Sequence, residues 1–263
     1  MTSGTAADQK LNADVPWDDF DPGEYISHNY LTMQAVDQEI VSRMRDHFSS
    51  HFGDHFPDGG RVPSGIDVGA GPNLYPALAM LPWCDRITLL ERSARNLKYL
   101  RSQRADYAPH WDQFWDVLCQ DEAYAKLDVA PRVRFKEAVR RPESGSLFDL
   151  GTDPRRWDLG TMFFVAESIT TSLAEFRRGV GCFMNALNPG APFAAAFMEH
   201  SVGYRVGDVE FPARDIDDTE VETALGDLAQ DMKMYHLDNP GDLVRDGYTG
   251  MILVCGRRSD SPV

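Results

Sequence analysis

The sequence predicts an α/β fold: a doubly wound, mostly parallel sheet with antiparallel strands at one edge and a helical cap ahead of it. Three observations predict it. Short apolar strands alternate with helical periods through the middle of the chain, which implies parallel pairing through crossover helices. The first of those strands ends in a Gly-x-Gly turn, Gly69-Ala70-Gly71, that opens a helix, and such sheets bind ligands outside the carboxyl ends of their strands. The last two strands have no helix between them, so they pair antiparallel at an edge.

The elements follow in order. Residues 1–15 are polar and are expected to form a flexible terminus, leaving 16–263 as a single domain whose opening part, 16–60, is the helical cap. Across 22–52, Ile26, Tyr30, Met33, Val36, Ile40, Met44 and Phe48 recur at three- and four-residue spacing and share one stripe of a helix. Residues 51–64 are rich in Gly, Pro and Asp and connect it to the sheet. Strands are expected at 66–68 and 86–90, with helices from about 74 and over 93–104. The stretch 105–130 is irregular, but Trp111, Phe114, Trp115 and Leu118 suit a short helix packed on the body. A strand is expected at 133–135, another at 157–164, then a helix over 173–187 and a strand at 192–198. Asn188-Pro189-Gly190 stops the chain between the last two. Thr219-x-x-Glu222 has the form of a capping box opening a helix with Val221, Leu225 and Leu228 on its apolar face. Strands at 232–237 and 248–254 close the chain around a loop containing Asn239-Pro240-Gly241.

Composition narrows the partners. The 263 residues carry 43% hydrophobic and 25% charged side chains, an ordinary globular balance. Net charge is −15 and the basic residues are scattered. Nucleic acids and anionic membranes favour a basic face, so neither is an expected partner. No run approaches the roughly 18 apolar residues that span a bilayer, and the first residues have no secretory pattern. Cys84, Cys119, Cys182 and Cys255 stand far apart without a CxxC or Cys/His cluster. Neither a metal nor a disulfide framework is expected, and a reducing, cytoplasmic setting fits.

The glycine turn admits two ligand classes. Glu91 stands twenty residues after Gly71, at the end of the next strand, where a carboxylate can accept both hydroxyl protons of a ribose. A dinucleotide site wants a third glycine, which would fall at Leu74, and Pro72 stiffens the turn instead. Asp67 would oppose a pyrophosphate, whereas it suits a ligand ending in an ammonium and carrying a sulfonium. S-adenosylmethionine is therefore the favoured ligand and a nicotinamide dinucleotide the alternative, which leaves an NAD(P)-dependent oxidoreductase as the rival enzyme. A non-catalytic binding module on the same fold is the rival outside the enzymes.

Three blocks then resemble the small-molecule N-methyltransferases that include the nicotinamide, phenylethanolamine, indolethylamine and thioether enzymes. They are Asp21-Pro22-Gly23-Glu24-Tyr25 running on to Tyr30, Asp67-Val68-Gly69-Ala70-Gly71-Pro72-Asn73-Leu74-Tyr75, and Glu91 with Asn96. The resemblance implies a Rossmann-like class I methyltransferase sheet whose cap closes over S-adenosylmethionine. It implies that Tyr25 and Tyr30 cover the cofactor and that Asp67, Gly69, Ala70 and Gly71 lie at its amino acid end, with Tyr75 on the carboxylate. Glu91 and the adjoining Arg92 would meet the ribose, and Asn96 the adenine. Ser146 and Leu147 fall where the family contacts the adenine edge, with Asp149 competing for that place. Phe164 and Val165 would contact the cofactor through backbone. On the acceptor side the resemblance points to Glu199 and Tyr204. Glu167 is a candidate by position, after the strand at 157–164, with helix capping as its competing role. Asn29 replaces a family tyrosine, and Glu91 replaces an aspartate. These two departures bear on the acceptor. The expected reaction is methyl transfer to a small amine or N-heteroaromatic nitrogen, with O- or C-methylation as the alternative, and of the oligomeric states left open a monomer is favoured.

Overall fold

The computed structural model describes residues 9–56, 60–238 and 247–260. Its main sheet contains β1 (Val62–Val68), β2 (Cys84–Glu91), β3 (Glu143–Ser144), β4 (Leu159–Phe163), β5 (Pro192–Glu199), β8 (Ala229–Asp238) and β9 (Gly250–Arg258). A separate hairpin pairs β6 (Gly203–Val206) with β7 (Val209–Pro212). The order in the main sheet is β3-β2-β1-β4-β5-β9-β8. All pairs are parallel except β5–β9 and β9–β8, so the doubly wound sheet and its antiparallel edge are both present. The chain winds outward from β1 to β2 and β3, then returns to β4 on the other side of β1. That reversal leaves a crevice at the carboxyl ends of β1 and β4.

Sequence explains the layering. Every residue of β4 and β5 is buried, as expected for parallel strands covered on both faces. One face carries α2 (Ala35–His55), α3 (Tyr75–Ala79), α5 (Asp112–Leu118) and α7 (Pro131–Ala138), with Phe48, Phe52, Trp111, Phe114 and Phe135 in a common core. The other carries α8 (Leu173–Asn185) and α9 (Asp218–Leu225), through Phe176, Val180, Phe183 and Val221. The remaining helices are α1 (Pro22–Asn29), α4 (Ala94–Gln103) and α6 (Glu122–Ala125).

Several elements differ from expectation for identifiable reasons. The stripe at 22–52 is two helices, not one. Asp21 caps α1 by accepting from the N–H groups of Gly23 and Glu24, with Pro22 at the first position. The chain breaks after Tyr30 because its backbone partners come from α5. The Gln113 side chain accepts from Met33 N–H and donates to the carbonyls of Tyr30 and Leu31. No strand forms at 133–135. Pro131 opens α7 there, and the buried Arg134 guanidinium donates to the carbonyls of Leu81 and Cys84. Helix α9 is capped by Asp217, which accepts from Glu220 N–H, rather than by a box at Thr219. The turn Asn239-Pro240-Gly241 lies outside the described residues, as do residues 1–8. Among the described residues no helix is long and apolar enough to cross a membrane.

Candidate functional site

Strand β1 ends at Val68 and the chain turns through two glycines in left-handed conformation, Gly69 at φ +64° and Gly71 at φ +55°. Gly69 is required twice over. Its φ is one that L side chains avoid, and a Cβ there would stand 2.7 Å from both γ-carbons of Val165. The turn is held from the next strand. Glu91 ends β2, and its carboxylate accepts from Gly71 N–H at 2.7 Å through Oε2 and from Ser93 N–H at 2.6 Å through Oε1. Ser93 in turn caps α4 by accepting from Asn96 N–H. Burial raises the pKa of Glu91, while the N–H groups of Ser93, Gly71 and Arg92 and the side chain of Asn96 oppose that rise.

These groups open onto a cleft at the crevice of the sheet. Its floor is Gly69, Ala70 and Gly71, and Glu91, Arg92 and Asn96 border it from β2 and α4. Ser146 and Leu147 form a third side, Phe164 and Val165 a fourth. Tyr25 from α1 and Tyr30, the residue that follows α1, cover it, and Tyr204 from β6 completes the cover. Phe164 holds φ +59° while its N–H donates to Ala196 O at 2.7 Å. A phenylalanine there is strained, a feature that concentrates at functional sites. Of the two candidates for the adenine edge, Ser146 borders the cleft. Asp149 instead accepts from Ser146 N–H at 2.7 Å, closing a capping box behind it.

Four expected residues stand outside that lining. Asp67 lies beneath the turn, where Thr161 Oγ1 donates to it at 2.8 Å, and burial pushes its carboxyl up to about 8. Burial thus favours the neutral acid at this position over a charged one. Tyr75 is fully buried, stacked on Phe114 at 5.3 Å and edge-on to Tyr30 at 5.9 Å. It supports the cover rather than facing the cleft. Glu167 is buried behind the cleft-lining Ser168, accepting from Ser168 Oγ at 3.0 Å and from Met198 N–H at 3.1 Å. Glu199, at the end of β5, accepts from Thr249 Oγ1 at 2.5 Å and pairs with His236 Nε2 at 2.9 Å through the same oxygen.

Other residues of the lining were not expected. Pro72, Asn73, Gly145, Phe163, Ser168 and Ile169 adjoin expected ones. Asn12, Trp17 and Phe20 come from further away. Residues 9–15, expected to be flexible, are tied down where the structure describes them. Lys10 exchanges hydrogen bonds with Thr171 and accepts from Thr170 Oγ1. Asn12 is buried. Trp17 and Tyr204 both stack on Phe211, at 5.5 and 5.4 Å, so the N-terminal segment and the β6–β7 hairpin share one small core. The sequence offered a signal, Val15, Trp17 and Phe20 within six residues, but nothing in it indicated where they dock.

The expected cofactor can be tested against an unsatisfied group. A carboxylate only accepts, so the Asn96 side chain bonds Glu91 through Nδ2. That leaves its buried Oδ1 without a partner at the edge of the cleft, an acceptor available to a hydroxyl or amine of a nucleoside. The free side of Gly71, whose Cβ would meet nothing closer than 3.8 Å, keeps the turn open to that ligand. The residues fit the group.

Comparison with known proteins agrees. The model of the NNMT/PNMT/TEMT family matches residues 9–258. Among solved structures, a S-adenosylmethionine-dependent methyltransferase from Methanosarcina mazei is 11% identical, with a TM-score of 0.51 over 76% of this chain and 94% of that one, and it carries the fold. The N-methyltransferase NodS from Bradyrhizobium japonicum, solved with S-adenosyl-L-homocysteine, is 13% identical over 86% and 88% with a TM-score of 0.47. The 1,6-didemethyltoxoflavin-N1-methyltransferase of Burkholderia thailandensis is 14% identical over 85% and 80% with a TM-score of 0.49. By the family match along nearly its whole length, the chain belongs to the NNMT/PNMT/TEMT family and is an S-adenosylmethionine-dependent methyltransferase acting on a small molecule.

Proposed function

We propose that the acceptor is a small amine or N-heteroaromatic compound, methylated on nitrogen, and that Glu199 orients it. The observation that carries this is the aromatic lining of the cleft, to which Trp17, Phe20, Tyr25 and Tyr204 contribute. Asn29 does not supply the family's second tyrosine face, since its amide donates to Tyr25 O at 2.8 Å. Trp17, stacked on Phe211, supplies aromatic surface in its stead.

S-adenosylmethionine brings a methyl group already activated on a cationic sulfur. The chain's residues then have to bind, align and exclude water. Tyr25, Tyr30 and Phe163 put aromatic rings in the lining, and an aromatic ring favours a cation over its face. A neutral amine needs no strong base, because it gains positive charge as it attacks, and a carboxylate placed beside it stabilises that charge. Glu199, the last residue of β5, is the carboxylate assigned that role, with Glu167, beyond the end of β4, as the alternative. The reading includes a monomer with a small-molecule substrate. The net charge of −15 speaks against nucleic acid or an anionic membrane as partner, and the four free cysteines suit a reducing, cytoplasmic setting.

Mass spectrometry of a pool of amines incubated with enzyme and S-adenosylmethionine is expected to show gains of one methyl group on nitrogen. Glu199→Gln is expected to lower kcat/KM for the acceptor by about tenfold to a hundredfold, the range for a lost hydrogen bond to a charged group. Affinity for S-adenosylhomocysteine should stay unchanged. Unaltered acceptor kinetics would remove Glu199 from the site.

A further inference from the structure

We propose that Ser146 acts on the nucleobase of the cofactor as a hydrogen-bond donor, reading a ring nitrogen, and that Asn12 is the positioning residue that sets this polarity. The assignment rests on the cofactor lying in the cleft that Ser146 and Asn12 both line.

The polarity follows from a chain of forced choices. An indole N–H only donates. Trp17 Nε1 donates to Asn12 Oδ1 at 3.0 Å and to Asn12 O at 3.2 Å. The Asn12 amide is thereby oriented, because the atom facing Trp17 has to be the oxygen. Its Nδ2 then faces Ser146 and donates to Ser146 Oγ at 3.2 Å. Ser146 Oγ also accepts from Phe148 N–H at 3.3 Å. A hydroxyl has two lone pairs and one proton, so both acceptor positions of Ser146 are filled and only its proton remains. Among the described residues that proton meets no acceptor, and Ser146 lines the cleft while only 8% exposed.

The rest of the surroundings hold this arrangement in place. Asn12 N–H donates to Glu175 Oε2 at 2.9 Å, which fixes its backbone. Ser146 N–H donates to Asp149 Oδ2, which occupies the carboxylate that would otherwise compete for the same edge. A donor in the cleft complements an acceptor on the ligand. On adenine the acceptors are ring nitrogens, whereas the exocyclic amine is a donor. A serine with a committed oxygen therefore recognises the ring and not the amine.

Calorimetric titration of the full chain with S-adenosylhomocysteine, its 1-deaza, 3-deaza and 7-deaza forms, and the form lacking the exocyclic amine tests this. In wild type, one deaza form is expected to bind about three- to tenfold more weakly than the parent, the range for one neutral hydrogen bond. Ser146→Ala is expected to bind the parent and that deaza form equally. Asn12→Asp keeps an acceptor for Trp17 but accepts the Ser146 proton itself, so it should also lose the discrimination with Ser146 intact. Removal of the exocyclic amine is expected to cost the same in wild type and Ser146→Ala. Melting temperatures of the variants separate misfolding from recognition. Equal binding of all deaza forms by wild type, or a penalty that survives in Ser146→Ala, would overturn the assignment of Ser146. Wild-type discrimination in Asn12→Asp would overturn the role of Asn12. Binding of none of these nucleosides by wild type would instead remove the cofactor from the cleft.

Discussion

Gly69→Ala is expected to cost the protein roughly 2–5 kcal/mol of stability, the sum of left-handed backbone strain and overpacking, and to abolish tight binding of S-adenosylhomocysteine. The two contributions have separate origins. Any Cβ residue at φ +64° is strained. The methyl group also collides at 2.7 Å with both γ-carbons of Val165, a side chain that lines the cleft. Relieving the collision moves Val165 or lifts the turn, and either movement deforms the floor on which the ligand lies. Gly71→Ala is the internal control, because its φ is similar but its Cβ meets only Gly69 O at 3.8 Å. It should show the strain, about 1–2 kcal/mol, without the collision. Thermal unfolding and calorimetry of both variants check this. If Gly69→Ala is no worse than Gly71→Ala, contact with Val165 does not shape the site.

Glu91→Ala is expected to weaken binding of S-adenosylhomocysteine by about a hundredfold or more, as two charge-assisted hydrogen bonds within the protein and those to the ligand are lost together. The carboxylate fixes Gly71 N–H and Ser93 N–H, and it borders the cleft where a ribose hydroxyl would meet it. Glu91→Gln separates these duties. An amide has one acceptor oxygen, so it can serve one of the two N–H groups and turns a donor toward the other. It should bind more weakly than wild type and more tightly than Glu91→Ala. Affinity intact in Glu91→Ala would take the ribose away from this residue.

Much of the fold was legible because the deciding interactions are short in sequence. The turn at Gly69–Gly71 is announced by a buried strand, two glycines and an acid at the end of the next strand, all within 65–91. The two antiparallel strands declare themselves differently, β8 by alternation and β9 by the continuous apolar run 251–255. Elements too short for a period did not: β3 has two residues, and β6 and β7 have four each. At 133–135, Val-Arg-Phe alternates like a strand, yet Pro131 starts a helix and the apparent polar position, Arg134, is buried against backbone carbonyls.

The site divides along the same line. Its floor was legible from local chemistry, and the family resemblance pointed to Tyr25 and Tyr30 in its cover. Asn12 was not, since its partners Ser146 and Glu175 lie 134 and 163 residues away, and a polar residue near a terminus carries no mark of such a contact. Asp67 shows the converse. Its position next to the turn implied a charge facing the ligand, but burial within β1, beside Thr161 of β4, favours the neutral acid.

Calorimetric titration of the folded wild-type chain with S-adenosylhomocysteine, beside NAD and NADP, tests the central claim most directly. One molecule of S-adenosylhomocysteine bound per chain, with no heat from either dinucleotide, is the expected result. Heat from a dinucleotide and none from S-adenosylhomocysteine would contradict it.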